Sequence, residues 1–461
     1  MTLDRPTPIY TLVFLRVALG LLGAGDILGN AIYFHWYKDE FSGFTFPYIG
    51  FEWVQPFPEP FMSLFFLAGF GLGVCVALGW RFRVTAPVFA AFFTYFFLLE
   101  KAHYLNHAYL FCWLAWLLCL TPAHREWSLD VRRDPGLWSP VAPAWSVYLF
   151  PALMGCVYFF GGIAKINADW LLLAMPLKMW LARRSEMFLL GPLWASEITA
   201  YVMAWGGMLL DLTAGFMLLH RRLRWVALGL LLGFHATNHL IFNIGIFPYL
   251  SMVLTSMFFR PDWPKLAVER LINGRRMVWA RSRVQGWKDR WKQRVQPASP
   301  VYPGHAYAPT RKWIFGLLAI VFLVHLALPF RHWSWKSDVN WSEQGHRYSW
   351  RMMLRSKQGR GNFRLVDKAT GETTYVNPSD SLSLRQYRKM ATHPDMILQY
   401  AHHLRDSAAE QGRDVAVHAE FRVRLNGRRY GIFIDPKVDL AGVEWDYWGD
   451  KDWVLGEEAS D

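Results

Sequence analysis

Cysteine is scarce in this chain of 461 residues. The four present, Cys75, Cys112, Cys119 and Cys156, all lie inside apolar runs, and the polar C-terminal third has none. A stapled extracellular domain would need them there, so no disulfide framework is implied and the four read as small core hydrophobes. No Cys/His spacing suggests a metal site, and no metal is expected. Charge is scarce too: 18% of residues are charged, against 53% hydrophobic and 17% aromatic. A cleavable signal peptide is also not expected. The first apolar stretch carries Arg16 and Asp26, lacks a small-residue cleavage site, and reads as a spanning helix.

What is present points to a membrane. Mean hydropathy is only +0.12 while net charge is +13 and the pI is near 9.6. These values fit together when very apolar spans are joined to a polar, basic remainder. The basic residues collect beside the apolar spans, where membrane lipid explains them better than nucleic acid does. Lipid is therefore an expected partner and nucleic acid is not. Nine runs are long enough to cross with tilt: 9–35, 60–79, 84–100, 107–121, 146–163, 195–219, 225–243, 244–259 and 313–330. With a cytoplasmic N-terminus the inner segments hold 22 Lys and Arg and the outer segments 6, which favours that orientation.

The expected architecture is a polytopic α-helical membrane protein of about nine spans with a C-terminal, extracytoplasmic β-rich domain. Residues 1–260 form a helical transmembrane catalytic domain and 261–312 a basic cytoplasmic linker. Residues 313–330 form the last span and 331–461 the outer domain. The linker string WPKLAVERLINGRRMVWARSRVQGWKDRWKQR (263–294) alternates bulky apolar residues with Arg and Lys, as a basic amphipathic helix on a leaflet does. In the outer domain FRLV (363–366), TTYV (373–376) and VAVHAEFRVRL (415–425) alternate in the strand manner. Asn426-Gly427 ahead of RRYGIFI (428–434) is a hairpin signal.

One lysine stands out. Lys165 ends the apolar run SVYLFPALMGCVYFFGGIAKINADW (146–170), with Asn167 and Asp169 close behind. A lysine there either snorkels to the interface as an anchor or is paired or neutral, and a neutral lysine is a base. Glu100, Lys101, Asn106 and His107 fall at the outer turn between the third and fourth spans. Asn238, His239 and Asp26 are placed to join them, so a site at the outer ends of several helices is expected. Each has a plainer alternative: His235 and His239 as packing residues, Asp26 and Asp211 as partners of a neighbouring arginine.

These strings resemble the vitamin K-dependent gamma-glutamyl carboxylase family, in order along almost the whole chain. FLLEKAHYLNHAYL (97–110) is similar to the family segment whose histidine assists carboxylation, which falls on His107. GGIAKINADW (161–170) resembles the segment of the catalytic base, which falls on Lys165. LLDLTAGF (209–216), FHATNHLIFNIGIFPYL (234–250), RPDWPKL (260–266), YSWRMM (348–353), GETTYVNP (371–378), DMILQYA (395–401) and IFIDPKVDL (432–440) follow.

The resemblance implies an enzyme of the carboxy-lyase type using reduced vitamin K, a naphthohydroquinone, with O2 and CO2 as co-substrates. In the family the lysine deprotonates the quinol, whose reaction with oxygen yields a base strong enough to remove a γ-proton from a glutamate side chain. The carbanion adds CO2, giving gamma-carboxyglutamate and vitamin K epoxide. A glutamate-containing peptide or protein is the implied partner, with Tyr348, Ser349 and Trp350 in its recognition and Asn106 orienting His107 or the quinone. A bacterial inner membrane, with the C-terminal domain outside the cytoplasm, is the expected location.

Departures from the family pattern leave alternatives open. Ala164 replaces the first of two paired lysines. A family tyrosine becomes His346, a histidine becomes Arg355, and His403 stands where a cysteine of the animal bridge would be. The alternatives are a quinone epoxidase without protein carboxylation and a non-catalytic membrane protein that binds a peptide or partner.

Overall fold

The computed structural model describes residues 3–33, 41, 43–242, 244–273 and 310–457. In lipid, backbone polar groups must be satisfied within the chain, and the helix does this locally. The N-terminal part accordingly folds as α1 (Tyr10–Tyr33), α2 (Phe61–Leu78), α3 (Phe82–Leu98), α4 (Asn106–Cys119), α5 (Ala144–Ala164), α6 (Glu197–Leu219), α7 (Leu223–Ile241) and α8 (Phe247–Ser256). Helices α9 (Trp263–Asn273) and α10 (Lys312–Ala327) follow. Five stretches are long and apolar enough to cross a membrane: Tyr10–Ala31 in α1, all of α2, α5 and α6, and Lys312–Ser334, which is α10 and the turn after it. Helix α3 is apolar but shorter. At 14 and 10 residues, α4 and α8 fall short of the hydrocarbon thickness. Among the described residues, length and composition alone support five of the nine expected spans. Of the basic linker, 261–273, which includes α9, and 310–312 lie within the described residues, and the rest of the 263–294 string lies outside them.

Small residues bring the helices together. A Cβ on Gly20 of α1 would lie 2.5 Å from Ala77 N and Gly73 O of α2, so those backbones touch as membrane helices do at small-residue seams. Helices α5 and α6 meet the same way, since a Cβ on Gly162 would lie 2.7 Å from Leu212. Fully buried Arg16 of α1 caps the chain beyond α4, donating to the carbonyls of Ala123 (2.9 Å) and Trp127 (2.7 Å). Strands β1 (Pro6–Pro8) and β2 (Val141–Pro143) pair as a short antiparallel ribbon at the start of α5.

The C-terminal part is an antiparallel sheet in the order β4-β3-β5-β6, with β3 spanning Lys357–Asp367, β4 Thr373–Val376, β5 Val415–Leu425 and β6 Gly431–Ile432. Alternation along β5 buries Val415, Val417, Ala419, Phe421, Val423 and Leu425. That face packs against a helix, α12 (Pro394–Glu410), in a core with Met396, Ile397 and Tyr400. A shorter helix, α11 (Leu384–Met390), opens with a capping box of Ser383 and Gln386. The region is thus mixed α and β rather than purely β-rich. Positive φ at Asn426 (50°) and Gly427 (81°) closes the β5–β6 hairpin, the conformation those two residues tolerate best.

The two parts are bolted together at the turn between α3 and α4. Lys101 Nζ lies 2.6 Å from Asp395 Oδ2 of α12, and Arg347 holds the same carboxylate at 2.7 Å. Gln386 of α11 donates to Glu100 Oε2 (2.9 Å), which also accepts from the Phe46 N–H (3.2 Å). Of these two candidates for the site by sequence, Glu100 is a strut, and Lys101 is a strut that also lines the cavity described below.

Candidate functional site

One cavity of about 1110 Å³ runs from the interior of the helical part into the sheet-bearing part. Lys165 lines its deep half. The residue caps α5, and its ammonium donates to Asp211 Oδ2 of α6 (2.6 Å) and to the Gly161 carbonyl (3.0 Å). Both members of the pair are buried, and the Trp170 ring centroid lies 5.7 Å from Nζ. A buried ion pair holds its geometry because losing either partner strands a charge. Asp211 therefore pairs with Lys165 and not with an arginine.

Around the pair the wall mixes apolar and polar groups. Phe93, Phe96, Val157, Met203, Phe234 and Phe247 supply apolar surface. Tyr158 Oη lies 2.9 Å from Thr255 Oγ1 and 3.4 Å from His235 Nε2. The buried Nδ1 of His235 has no partner among the described residues, and its ring packs on Phe234 and Phe247. His107, in the first turn of α4, stacks its ring on Phe247 at 5.8 Å. Gly245, at φ 56°, leaves room beside it: a Cβ there would lie 3.8 Å from His107 Nε2. Asp26 and Asn30 of α1 also reach this half, with Asn30 donating to Asp26 Oδ2 (3.3 Å). Asn238 lines the cavity as well, whereas His239 is absent from its lining.

The outer half is cationic. Arg347, Arg351, Arg355, Lys357, Arg385, Arg388 and Lys389 line it, along with Glu343, His346 and His393. Glu343 is the hub: its carboxylate accepts from Arg355 Nε (3.0 Å) and lies 3.3 Å from Lys357 Nζ. Burial alone would raise the Glu343 carboxyl, but the cations beside it, Arg355 and then Lys357, hold it well below its usual range. Burial keeps His346 and His393 well below the ordinary imidazole range, with Arg355 adding to it at His346. Burial first, then Arg355, brings Lys389 down to about 8. Arg351, brought down to about 10 by burial and then Arg355, has a buried Nε with no partner among the described residues.

Of the residues singled out by sequence, the structure brings Lys165, His107 and Asn106 to one cavity and leaves Tyr348, Ser349 and Trp350 off its lining. The 345–356 segment makes a winding turn with left-handed backbone at Gly345, Tyr348, Trp350 and Met353. Bulky residues rarely adopt φ near +60°, so their surroundings impose it. Trp350 is fully buried against Tyr109 (5.4 Å) and His325 (5.7 Å). The Ser349 hydroxyl is spent on the Gly345 carbonyl (2.7 Å) and the Leu328 carbonyl (3.0 Å). The Tyr348 N–H donates to Tyr104 Oη (2.6 Å), which donates to Asn106 Oδ1 (2.9 Å), and Asn106 Nδ2 donates to the Arg351 carbonyl (3.2 Å). These residues aim Arg351, Met352 and Arg355 into the cavity.

Sequence reasoning missed Asp211 as the lysine's partner and missed Arg351 and Lys389 altogether. Arg351 was within sight, inside the YSWRMM string. Among the described residues no group of three or more His, Cys, Asp or Glu is placed to hold a metal ion.

No solved structure matches the chain. Residues 4–263 match the family model of the HTTM domain, and residues 310–460 match that of the vitamin K-dependent gamma-carboxylase lumenal domain. The apolar helices make it a membrane protein. With the two models covering more than half of its length in the order of its two parts, the chain belongs to the vitamin K-dependent gamma-glutamyl carboxylase family.

Proposed function

We propose that the protein is an integral-membrane, vitamin K-dependent gamma-glutamyl carboxylase that couples oxygenation of a reduced naphthoquinone to carboxylation of glutamate side chains. The observation that carries this reading is the shared cavity: a buried Lys165–Asp211 pair and His107 at its apolar end, a cluster of arginines and lysines at the other.

The deep half fits an apolar ring system with a polar edge. Phenylalanine and methionine walls surround a few convergent polar atoms, including the His235 Nδ1, which has no partner among the described residues. On reaction with oxygen, the bound quinol supplies a base stronger than any side chain. Lys165 takes the quinol proton once its ammonium has passed a proton to Asp211, 2.6 Å away, a transfer that replaces two buried charges by a neutral pair. His107 lies at the N-terminal turn of α4, where the helix dipole and an imidazole N–H both favour developing negative charge, as carbanion formation and CO2 addition require. The apolar wall excludes water that would quench base or carbanion.

In the outer half, Arg351 and Lys389 supply the carboxylate contacts for a glutamate-containing peptide. Tyr348, Ser349 and Trp350 act one layer back, by holding the segment that presents Arg351, and Asn106 holds the Arg351 carbonyl from the cavity wall. The excess of Lys and Arg in the inner segments supports a sheet-bearing domain outside the cytoplasm, with the peptide arriving from that side. A bacterial inner membrane fits a polytopic chain with no cysteine in that domain.

One observation favours a second reading. Arg355 and Lys357 already share the Glu343 carboxylate, so the carboxylate site is narrower than the count of cations suggests, and oxygenation without carboxylation is the alternative. The test supplies purified protein in detergent with reduced vitamin K, oxygen, labelled bicarbonate and a glutamyl peptide. Epoxide together with fixed label supports the carboxylase; epoxide alone supports the epoxidase; neither product overturns both.

A further inference from the structure

The loop that carries Lys165 is held from outside the helical part. After the lysine caps α5, Asn167 turns the chain, accepting from the Trp170 N–H (2.9 Å) and donating to the Ala164 carbonyl (3.1 Å). Asp169 then points away from the bundle. Its Oδ2 accepts from Asn426 Nδ2 (2.6 Å) and its Oδ1 from the Arg428 guanidinium, both at the tip of the β5–β6 hairpin. The contact is closely fitted, since a Cβ on Gly427 between them would lie 3.2 Å from Met179 Sδ.

The same asparagine holds the other wall of the cavity. Asn426 Oδ1 accepts from the Ser356 N–H (2.9 Å) and its own N–H donates to the Ser356 carbonyl (2.8 Å). Ser356 ends the winding segment that carries Trp350, Met352 and Arg355. The indole of Trp170 donates to the Ala204 carbonyl (2.9 Å), so the lysine loop is pinned to α6 on one side and to the hairpin on the other.

We infer that the β5–β6 hairpin tip is a positioning device for the base: Asn426 and Arg428, acting on Asp169, fix the loop that holds Lys165 against Asp211. The inference rests on the proposed role of Lys165. Asn426 and Arg428 touch neither the lysine nor the open cavity, which they do not line, so these are positioning residues and not catalytic ones. Quinol oxygenation then depends on the sheet-bearing part even when no peptide is present.

The experiment uses the full chain in detergent with Asn426→Gly, which keeps the left-handed backbone and removes the side chain, and with Arg428→Ala and Arg428→Lys. Two readouts are taken: epoxide formation without peptide, at varied quinol, and hydrogen exchange of the 165–171 amides. The expected result is several-fold faster exchange in 165–171 and a fall in kcat of about tenfold with the quinol KM unchanged, the cost of a slightly misplaced base. Arg428→Lys should restore most of both. Unchanged exchange in the Gly and Ala variants overturns the inference whatever the activity, and so does faster exchange with wild-type kcat. If wild-type protein forms no epoxide, the proposed function falls, while exchange alone still supports or overturns the clamp.

Discussion

At the scale of residues, the proposed chemistry rests on two side chains from different helices that hold each other in place. Lys165 and Asp211 are nearly excluded from solvent, so removing one leaves the other charged and unpartnered. Asp211→Leu alone should destabilise the protein by about 3–5 kcal/mol, whereas Asp211→Leu with Lys165→Met should recover most of that loss. Thermal unfolding in detergent measures both. His107 has a later task in the proposed sequence, so His107→Ala should reduce carbon dioxide fixation far more than tritium release from the glutamyl γ-carbon. Equal loss of the two would remove that division of labour.

At the scale of elements, α5 and α6 set the distance between lysine and carboxylate. Gly162 lies three residues before Lys165, and Leu212, which it contacts, is next to Asp211. Gly162→Ala forces those backbones apart and should cost about 1–3 kcal/mol of stability. A lowered melting temperature with weakened epoxidation would show it. Elements with strong local periodicity were readable in advance. Strand β5 alternates because one face packs on α12, and Asn426-Gly427 marks its turn by backbone preference alone. Helix α12 was less visible, because it is buried all round from Pro394 to Leu398 and amphipathic only beyond. The Lys165–Asp211 pair had no local signal: the partners are 46 residues apart, and their meeting depends on the register of α5 against α6. The Glu343 hub likewise gathers Arg355, Lys357, His346 and His393 from loop, strand and helix start. Trp350 had no local signal for its burial either, since Tyr109 and His325, which it packs against, come from two distant helices.

At the scale of the molecule, an apolar chamber and a cationic one share a single cavity, which suits a reaction joining a lipid-soluble reductant to an acidic peptide. Charge in the outer chamber is pH-sensitive. Lys357 and Lys389 are both held near 8, chiefly by burial. Each is protonated below that pH and loses its charge as pH rises through it, so the chamber's attraction for carboxylates falls in the same direction. Binding of an acidic glutamyl peptide should weaken about fivefold between pH 7 and 9.5, the loss of one ion pair's contribution. Added salt should weaken it too, and Lys389→Met should flatten the pH dependence. Isothermal titration in detergent follows all three.

The central claim is that Lys165 is the base that starts both half-reactions. The most direct measurement compares wild-type protein with Lys165→Ala, each given reduced vitamin K, oxygen, labelled bicarbonate and a glutamyl peptide, with and without a small primary amine. Wild-type protein should form epoxide and fix label, Lys165→Ala should do neither while remaining folded, and the amine should restore part of the epoxide. Epoxide formation by Lys165→Ala at the wild-type rate without added amine would contradict the account.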